Sequence, residues 1–205
     1  MRDSIYRIGG IEFDRTELRD LAAAWVALSI AFTFFLAPRG FLQMNAAVLT
    51  ELRNLFVMSM LTVGAGFLLH ELAHKVVAIR FGQIAAFRAD YGLLGLAIAS
   101  GLAGFLFAAP GAVYHRGHIT ERQNGIVAVA GPVMNLVLAT LFLGPFLLAG
   151  GFVADIARMG VLINLFLAAF NMLPAGPLDG RTVLDWHWAP FMAVLLVAVT
   201  SGGLF

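Results

Sequence analysis

Cysteine is absent from this chain of 205 residues, and charged residues are scarce at 12%. The lack of cysteine excludes disulfides, thiolate metal sites and cysteine nucleophiles. Average soluble domains are about 25% charged. The low charge, together with 60% hydrophobic residues, therefore excludes a soluble domain, a disordered tail and a nucleic-acid-binding protein. The net charge of +1 indicates neither an acidic nor a basic partner. The composition predicts an integral membrane protein embedded in a lipid bilayer.

Apolar runs long enough to cross a bilayer, at about 20 residues each, occur along most of the chain. They lie at about 21–37, 54–80, 91–113, 125–149, 159–173 and 189–204. Residues 1–20 differ, because they hold nine of the 25 charged residues, which predicts a polar N-terminal segment at the membrane interface. We therefore predict an all-α polytopic membrane protein with five to six transmembrane helices, in which residues 21–205 form one domain.

The second apolar run contains His70-Glu71-Leu72-Ala73-His74. An ionisable side chain in the middle of a bilayer costs at least about 2.5 kcal/mol, so three of them within five positions need a compensating role. Positions i and i+4 share one face of a helix, so both imidazoles can bind a single ion. Glu71 lies beside them and can act on a water bound to that ion. This spacing is typical of zinc hydrolases.

A catalytic zinc site takes three protein ligands, so a third one must follow His74 in the chain. The candidates are Asp90, His115, His118, Glu121, Asp155, Asp179, Asp185 and His187. Most of them lie in charged connections, whereas Asp179 follows Pro174 and Pro177 at the end of a broken apolar helix. Non-helical backbone at membrane depth occurs only inside protein or beside water. This favours Asp179, although on local features alone an ordinary helix-ending loop with an exposed aspartate is the alternative.

Three motifs of the chain resemble the site-2 protease family of intramembrane zinc metalloproteases. They are His70-Glu71-Leu72-Ala73-His74, Gly131-Pro132-Val133-Met134-Asn135 and the segment 171–180, which ends in Leu178-Asp179-Gly180. Their order and approximate separation match the family pattern and cover residues 54–182, the expected catalytic core. Arg181 stands where many family members have a second glycine, and we expect little effect of this difference on the metal.

The resemblance implies a zinc metalloendopeptidase that hydrolyses peptide bonds within or near the transmembrane segments of membrane-protein substrates. By resemblance, His70, His74 and Asp179 would bind one Zn²⁺ ion, and Glu71 would be the catalytic acid and base. Asn135 would hold the substrate backbone or the oxyanion, as a further catalytic residue. Two alternatives are a membrane protein that binds or transports metal without proteolysis, and a protease-like binding protein without activity.

The run at 91–113 is predicted to enter the membrane and return. His74 and Asp179 can share an ion only if the second and fifth runs end on the same face, which leaves room for one crossing between them. The positive-inside rule agrees. With 91–113 returning and the N-terminus cytoplasmic, ten of the 13 Lys and Arg residues lie inside, and Arg39, Arg53 and Arg158 lie outside. We expect a multi-pass cell-membrane protein with a re-entrant hairpin or helix plus loop. By resemblance, residues 109–114 would form a strand that pairs with substrate.

Overall fold

The computed structural model describes residues 5–38, 41–43, 45–106 and 110–203. Its strands are β1 (Ile5–Ile8), β2 (Ile11–Asp14), β3 (Ile84–Ala89) and β4 (Gly111–Arg116). Its α-helices are α1 (Arg15–Leu36), α2 (Ala46–Ser59), α3 (Ala65–Arg80), α4 (Tyr91–Leu102), α5 (Glu121–Leu148), α6 (Gly151–Asn171), α7 (Asp179–Trp186) and α8 (Trp188–Gly202). A π-helical turn, Met60–Gly64, joins α2 to α3. The predicted class, an all-α polytopic membrane protein, is confirmed.

Within the described ranges, four helices are long and apolar enough to cross a membrane. They are α1, the continuous 35-residue helix formed by α2, the π turn and α3, and the pair α5 and α6. The prediction of five to six spans included the apolar run 189–204. This run forms α8, which has only 15 helical residues. α4 has 12 residues, well below the length of about 20 that a crossing needs.

The N-terminal segment forms a hairpin before it enters the bundle. β1 and β2 pair in antiparallel fashion around Gly9 and Gly10, whose positive φ angles of 57° and 84° suit glycine in a tight two-residue turn. The Asp14 carboxylate then accepts a hydrogen bond from the Glu17 amide at 2.7 Å and caps α1. The first spanning helix therefore begins at residue 15, earlier than the apolar run at 21–37.

The β3–β4 ribbon shows how the run 91–113 returns. Ala89 at the end of β3 pairs with Gly111 at the start of β4, so the chain comes back to the place where α4 left it. α4 packs on α1 so closely that a Cβ on Gly101 would lie 2.3 Å from the Ala31 carbonyl oxygen. The predicted return of the chain between the second run and the Gly-Pro-x-x-Asn run is confirmed, as a helix followed by β4. Residues 111–114 of the expected strand lie in β4. Ala109 lies outside the described residues, as do Arg2 and Arg39 of the charge count.

The largest apolar core fixes the ribbon against the helices. It joins α1, α3, β3 and α4 through buried side chains that include Phe32, Phe67, Phe87 and Leu94. The rings of Phe67 on α3 and Phe87 on β3 meet edge to face, with centroids 5.8 Å apart. The ribbon is thus held beside the helix that carries the two predicted histidine ligands.

Candidate metal centre

The two histidines and Asp179 converge on one point. His70 and His74 occupy i and i+4 on α3, and Asp179 is the first residue of α7. The two Nε2 atoms are 2.9 Å apart, and Asp179 Oδ2 lies 3.2 Å from Nε2 of His70 and 3.4 Å from Nε2 of His74. Both imidazoles are buried, and the aspartate side chain is 19% exposed. Residues about a hundred positions apart therefore meet as the sequence predicts.

The Nδ1 atom of each imidazole is hydrogen-bonded to a group on α5. Nδ1 of His74 lies 2.8 Å from the Val127 carbonyl oxygen, which can only accept, so this nitrogen carries the proton. Nδ1 of His70 lies 2.6 Å from Oδ1 of Asn135. With the proton on Nδ1, each Nε2 presents a lone pair toward Asp179. Such backing of the ring is common for histidines that bind metals.

This cluster of donor atoms fits a zinc ion. Two imidazole lone pairs and a carboxylate oxygen face one another with no proton to share, which is repulsive unless a cation lies between them. Asp179 Oδ2 is buried and has no hydrogen-bond partner among the described residues. Tetrahedral zinc with bonds of about 2.0–2.1 Å separates its ligand atoms by about 3.3 Å, close to the distances found. The group of His70, His74 and Asp179 can hold one Zn²⁺.

Gly131 on α5 leaves the space that the imidazoles occupy. A Cβ at this position would lie 2.4 Å from Nε2 of His74 and 2.5 Å from Nε2 of His70. Real Cβ atoms do not approach other heavy atoms so closely, so any larger residue would displace the two imidazoles. The glycine of the Gly-Pro-x-x-Asn motif is therefore explained by the packing of α5 against the Nε2 atoms of these histidines.

Glu71 lines a cavity of about 340 Å³, and His70, His74 and Asp179 also line it. The cavity is lined by residues of β4 and by apolar side chains of α1 and α6, among them Phe32 and Phe166. Lys75 follows Glu71 by one helical turn, yet its Nζ binds Glu17 at 2.6 and 2.7 Å instead. The Glu71 carboxylate thus stays free of an ion pair with this lysine.

Asn135, which the family resemblance assigns to the substrate backbone or the oxyanion, lies behind the ring of His70. Its side chain is completely buried, and both polar atoms of its amide are used inside the protein. Oδ1 faces His70, while Nδ2 donates to Oδ1 of Asn164 at 2.9 Å and to the Gly66 carbonyl at 3.3 Å. Asn164, which the sequence reasoning missed, is also completely buried. A polar amide in the middle of an apolar run is the signal that could have indicated it.

The remaining candidate ligands lie apart from the cluster. Asp90 caps α4 by accepting from the Leu93 amide, and Nδ1 of His187 accepts from the Ala189 amide at the start of α8. His115 lines the cavity but is not among the grouped donors. The residues that remain are exposed, namely His118, Glu121, Asp155 and Asp185.

The chain is similar to several known proteins, and each of the following three is named "Putative zinc metalloprotease". MJ0611 of Methanocaldococcus jannaschii is 39% identical over 184 residues, which is 88% of each chain. YwhC of Bacillus subtilis is 34% identical over 61% of this chain and 66% of its own. Rip2 of Mycobacterium tuberculosis H37Rv is 31% identical over 67% of this chain and 65% of its own.

No family model and no solved structure matches the chain. The identity to MJ0611 nevertheless extends over most of both chains, and the donor set expected from the motifs is assembled in the fold. Four helices of spanning length indicate a multi-pass membrane protein. The chain belongs to the site-2 protease family of zinc metalloproteases.

Proposed function

We propose that this protein is an intramembrane zinc metalloprotease that hydrolyses peptide bonds within or near the transmembrane segments of membrane proteins. One observation carries the proposal: the grouped donors of His70, His74 and Asp179 lie inside a bundle of membrane-spanning length. His70 and His74 precede the end of their 35-residue helix by ten and six residues. At 1.5 Å per residue this corresponds to about 15 and 9 Å of helix, so both histidines lie inside the helix and not at its end.

The chemistry follows from the roles that we assign to these side chains. His70, His74 and Asp179 hold the zinc ion. When bound, zinc supplies a Lewis acid that polarises a carbonyl group and lowers the pKa of water. Glu71 accepts the proton of the attacking water and passes it to the leaving amine. The absence of an ion pair between Glu71 and Lys75 supports this role, because a carboxylate bound to lysine is a poorer base.

The substrate pairs with the free edge of β4. The opposite edge of the ribbon is occupied, since the amides of Phe87 and Ala89 on β3 donate to the carboxylates of Glu17 at 3.1 Å and Asp20 at 3.3 Å. β4 borders the cavity whose wall also carries Glu71. An extended segment added to this edge lies next to the proposed base. A helical substrate must therefore unwind locally to expose its amides.

The replacement Glu71→Gln tests the catalytic role. Purified protein in lipid vesicles is given a reporter transmembrane segment, and both cleavage and bound zinc are measured. We expect cleavage to fall by about 10²–10⁴-fold, the contribution of a general base, while zinc is retained. The matched control is Glu121→Gln, at an exposed position at the start of α5, which keeps full activity. Undiminished cleavage by the Glu71 variant would overturn the role, and cleavage of soluble peptides alone would overturn the intramembrane assignment.

We also propose that the N-terminus is cytoplasmic, as the distribution of arginines predicts. Four single cysteines at exposed positions test this topology: Ile5→Cys, Leu42→Cys, His118→Cys and Leu148→Cys. In intact cells, an impermeant thiol reagent should label the variants at 42 and 148 and leave those at 5 and 118 unlabelled. Labelling at 5 and 118 alone would reverse the orientation, and different labelling at these two positions would contradict a return of the run 91–113.

A further inference from the structure

We propose that Asn164 and Asn135 form an amide relay that positions His70, by fixing both its ring orientation and its tautomer. The relay runs from the backbone of α6 through two side-chain amides to an imidazole on α3. Neither asparagine touches the cavity, so both act on the site through His70. The proposal rests on the metal-binding role proposed for His70.

The hydrogen-bond directions follow from the far end of the relay. The Gly160 carbonyl can only accept, so the atom of Asn164 that lies 2.9 Å from it is the donor Nδ2. Oδ1 of Asn164 must then accept from Nδ2 of Asn135 at 2.9 Å. This leaves Oδ1 of Asn135 facing Nδ1 of His70 at 2.6 Å, so Nδ1 carries the proton. The Nε2 atom of His70 is left with its lone pair toward Asp179.

Packing leaves the relay no other arrangement. Both asparagines are completely buried, so water cannot replace a lost partner, and an unsatisfied buried polar group is costly. Gly66 on α3 makes room for the relay, because a Cβ there would lie 2.7 Å from Oδ1 of Asn164. The Gly66 carbonyl accepts the second hydrogen of Asn135 Nδ2 at 3.3 Å. Three helices thus meet around two amides, and each amide nitrogen and oxygen has a hydrogen-bond partner.

The two proposed histidine ligands are consequently held in different ways. His74 donates to a backbone carbonyl of α5, which no substitution removes. His70 depends on two side chains, one of which lies on a third helix. The geometry therefore makes the zinc affinity of this protein depend on Asn164, a residue that hydrogen-bonds to none of the three proposed metal donors.

The test uses the full-length protein in detergent or nanodiscs, with zinc affinity measured by competition against a chelator. We expect Asn135→Leu and Asn164→Leu each to weaken zinc binding by about 10–100-fold, the usual effect of removing such a partner. If the relay is one pathway, the double variant binds zinc no more weakly than Asn135→Leu alone. Thr33→Val is the control, because it removes a buried hydrogen bond within α1 at 2.7 Å that is unconnected to His70.

Two results would overturn the relay. One is unchanged zinc affinity in folded Asn164→Leu protein, and the other is a double variant whose loss equals the product of the two single losses. If the leucine variants fail to fold, nitrogen NMR of histidine-labelled unmodified protein decides the matter, because the relay requires the proton of His70 on Nδ1. Failure of the relay leaves cleavage by the unmodified protein intact, whereas failure of the proposed function appears as absent cleavage with zinc bound.

Discussion

Two buried polar clusters flank α3 and differ in charge. The relay cluster consists of His70, Asn135 and Asn164, all joined by neutral hydrogen bonds. The anchor cluster consists of Lys75 and Glu17, an ion pair at 2.6 Å in which both side chains are 1% exposed. Lys75 also donates to the Glu12 carbonyl at 2.7 Å and lies 3.8 Å from the centre of the Phe13 ring.

The difference shows that one helix carries its reactive groups and its charged packing contacts at separate positions. The neutral amides orient an imidazole without adding charge beside the carboxylates of Glu71 and Asp179. The anchor cluster engages the single lysine of the chain, which would otherwise be well placed to pair with Glu71 at i+4 spacing. Glu17 also accepts from the Phe87 amide at 3.1 Å. The charged cluster thus holds the ribbon and keeps the proposed base unpaired.

The largest expected effect comes from breaking the anchor cluster with Glu17→Gln. Removing one partner of a buried ion pair costs about 3–5 kcal/mol, because Lys75 stays buried without a counter-ion. We expect the free energy of unfolding to fall by this amount, as measured by denaturant titration in mixed micelles. In the remaining folded protein, Lys75 can turn to Glu71, so cleavage decreases while zinc stays bound.

Arg7→Gln is the matched control for the anchor cluster. It breaks the ion pair between Arg7 and Glu12, whose side chains are 71% and 56% exposed. Exposed pairs contribute at most about 1 kcal/mol. Equal losses of stability in the two variants would show that burial does not distinguish the anchor cluster from a surface pair.

An intermediate effect is expected from Gly131→Ala, which presses on His70, the histidine of the relay cluster, and on His74. The new methyl group would overlap Nε2 of both histidines, and overpacking of this kind costs about 1–3 kcal/mol. We expect zinc affinity to fall by about 10–100-fold while the helices persist, as followed by chelator competition and circular dichroism. Gly144→Ala is the control on the same helix, because a Cβ there meets nothing within 4 Å. Normal zinc binding by the Gly131 variant would contradict the close approach of α5.

The smallest effect is expected at Asp14, on the outer margin of the anchor cluster. Burial raises the pKa of Asp14. The hydrogen bonds from Arg88 at 2.6 Å and from the Glu17 amide lower the pKa by more than burial raises it, so the net shift is downward. A carboxylate with a lowered folded-state pKa stabilises the protein above its unfolded pKa of about 3.9. This stability is lost as the pH falls through the folded value.

Asp14→Asn should remove this pH dependence. We expect a loss of about 1 kcal/mol at neutral pH, because asparagine still caps a helix but cannot pair with Arg88. Unfolding of both proteins is compared between pH 6 and pH 3, and the difference between them should shrink toward the acidic end. A constant difference across this range would place the acid sensitivity elsewhere.

The sequence predicts the metal donors better than it predicts the groups that hold them. The His-Glu-x-x-His spacing and the broken helix before Asp179 are both recognisable in the sequence. The sequence alone therefore predicts that these residues lie close together. Asn164 belongs to no recognisable motif. Its contact with Asn135 depends on the packing of α6 beside α5, which the sequence does not show. The expected substrate contact of Asn135 came from the family resemblance alone, and the structure buries this side chain.

The same distinction applies to the fold. Hydropathy located the four long helices, because the bilayer sets their length and composition. It did not give the hairpin Ile5–Asp14, whose short strands depend on the Gly9-Gly10 turn and on packing of Phe13 in the core. It also did not give the continuous helix from Ala46, or its π turn, whose Met60 carbonyl accepts from Nε1 of Trp25 at 2.9 Å. Contacts between distant segments decide these features.

The 35-residue helix that carries His70 and His74 has a consequence for where a product is released. At 1.5 Å per residue it is about 52 Å long, whereas the hydrocarbon layer is about 30 Å thick. The helix must tilt or protrude, and the turns that carry His70 and His74 lie near its end at Arg80. On the proposed function, a cut made there would divide a membrane anchor unequally, so the shorter fragment would be released into water on the Arg80 side while the longer one would stay in lipid.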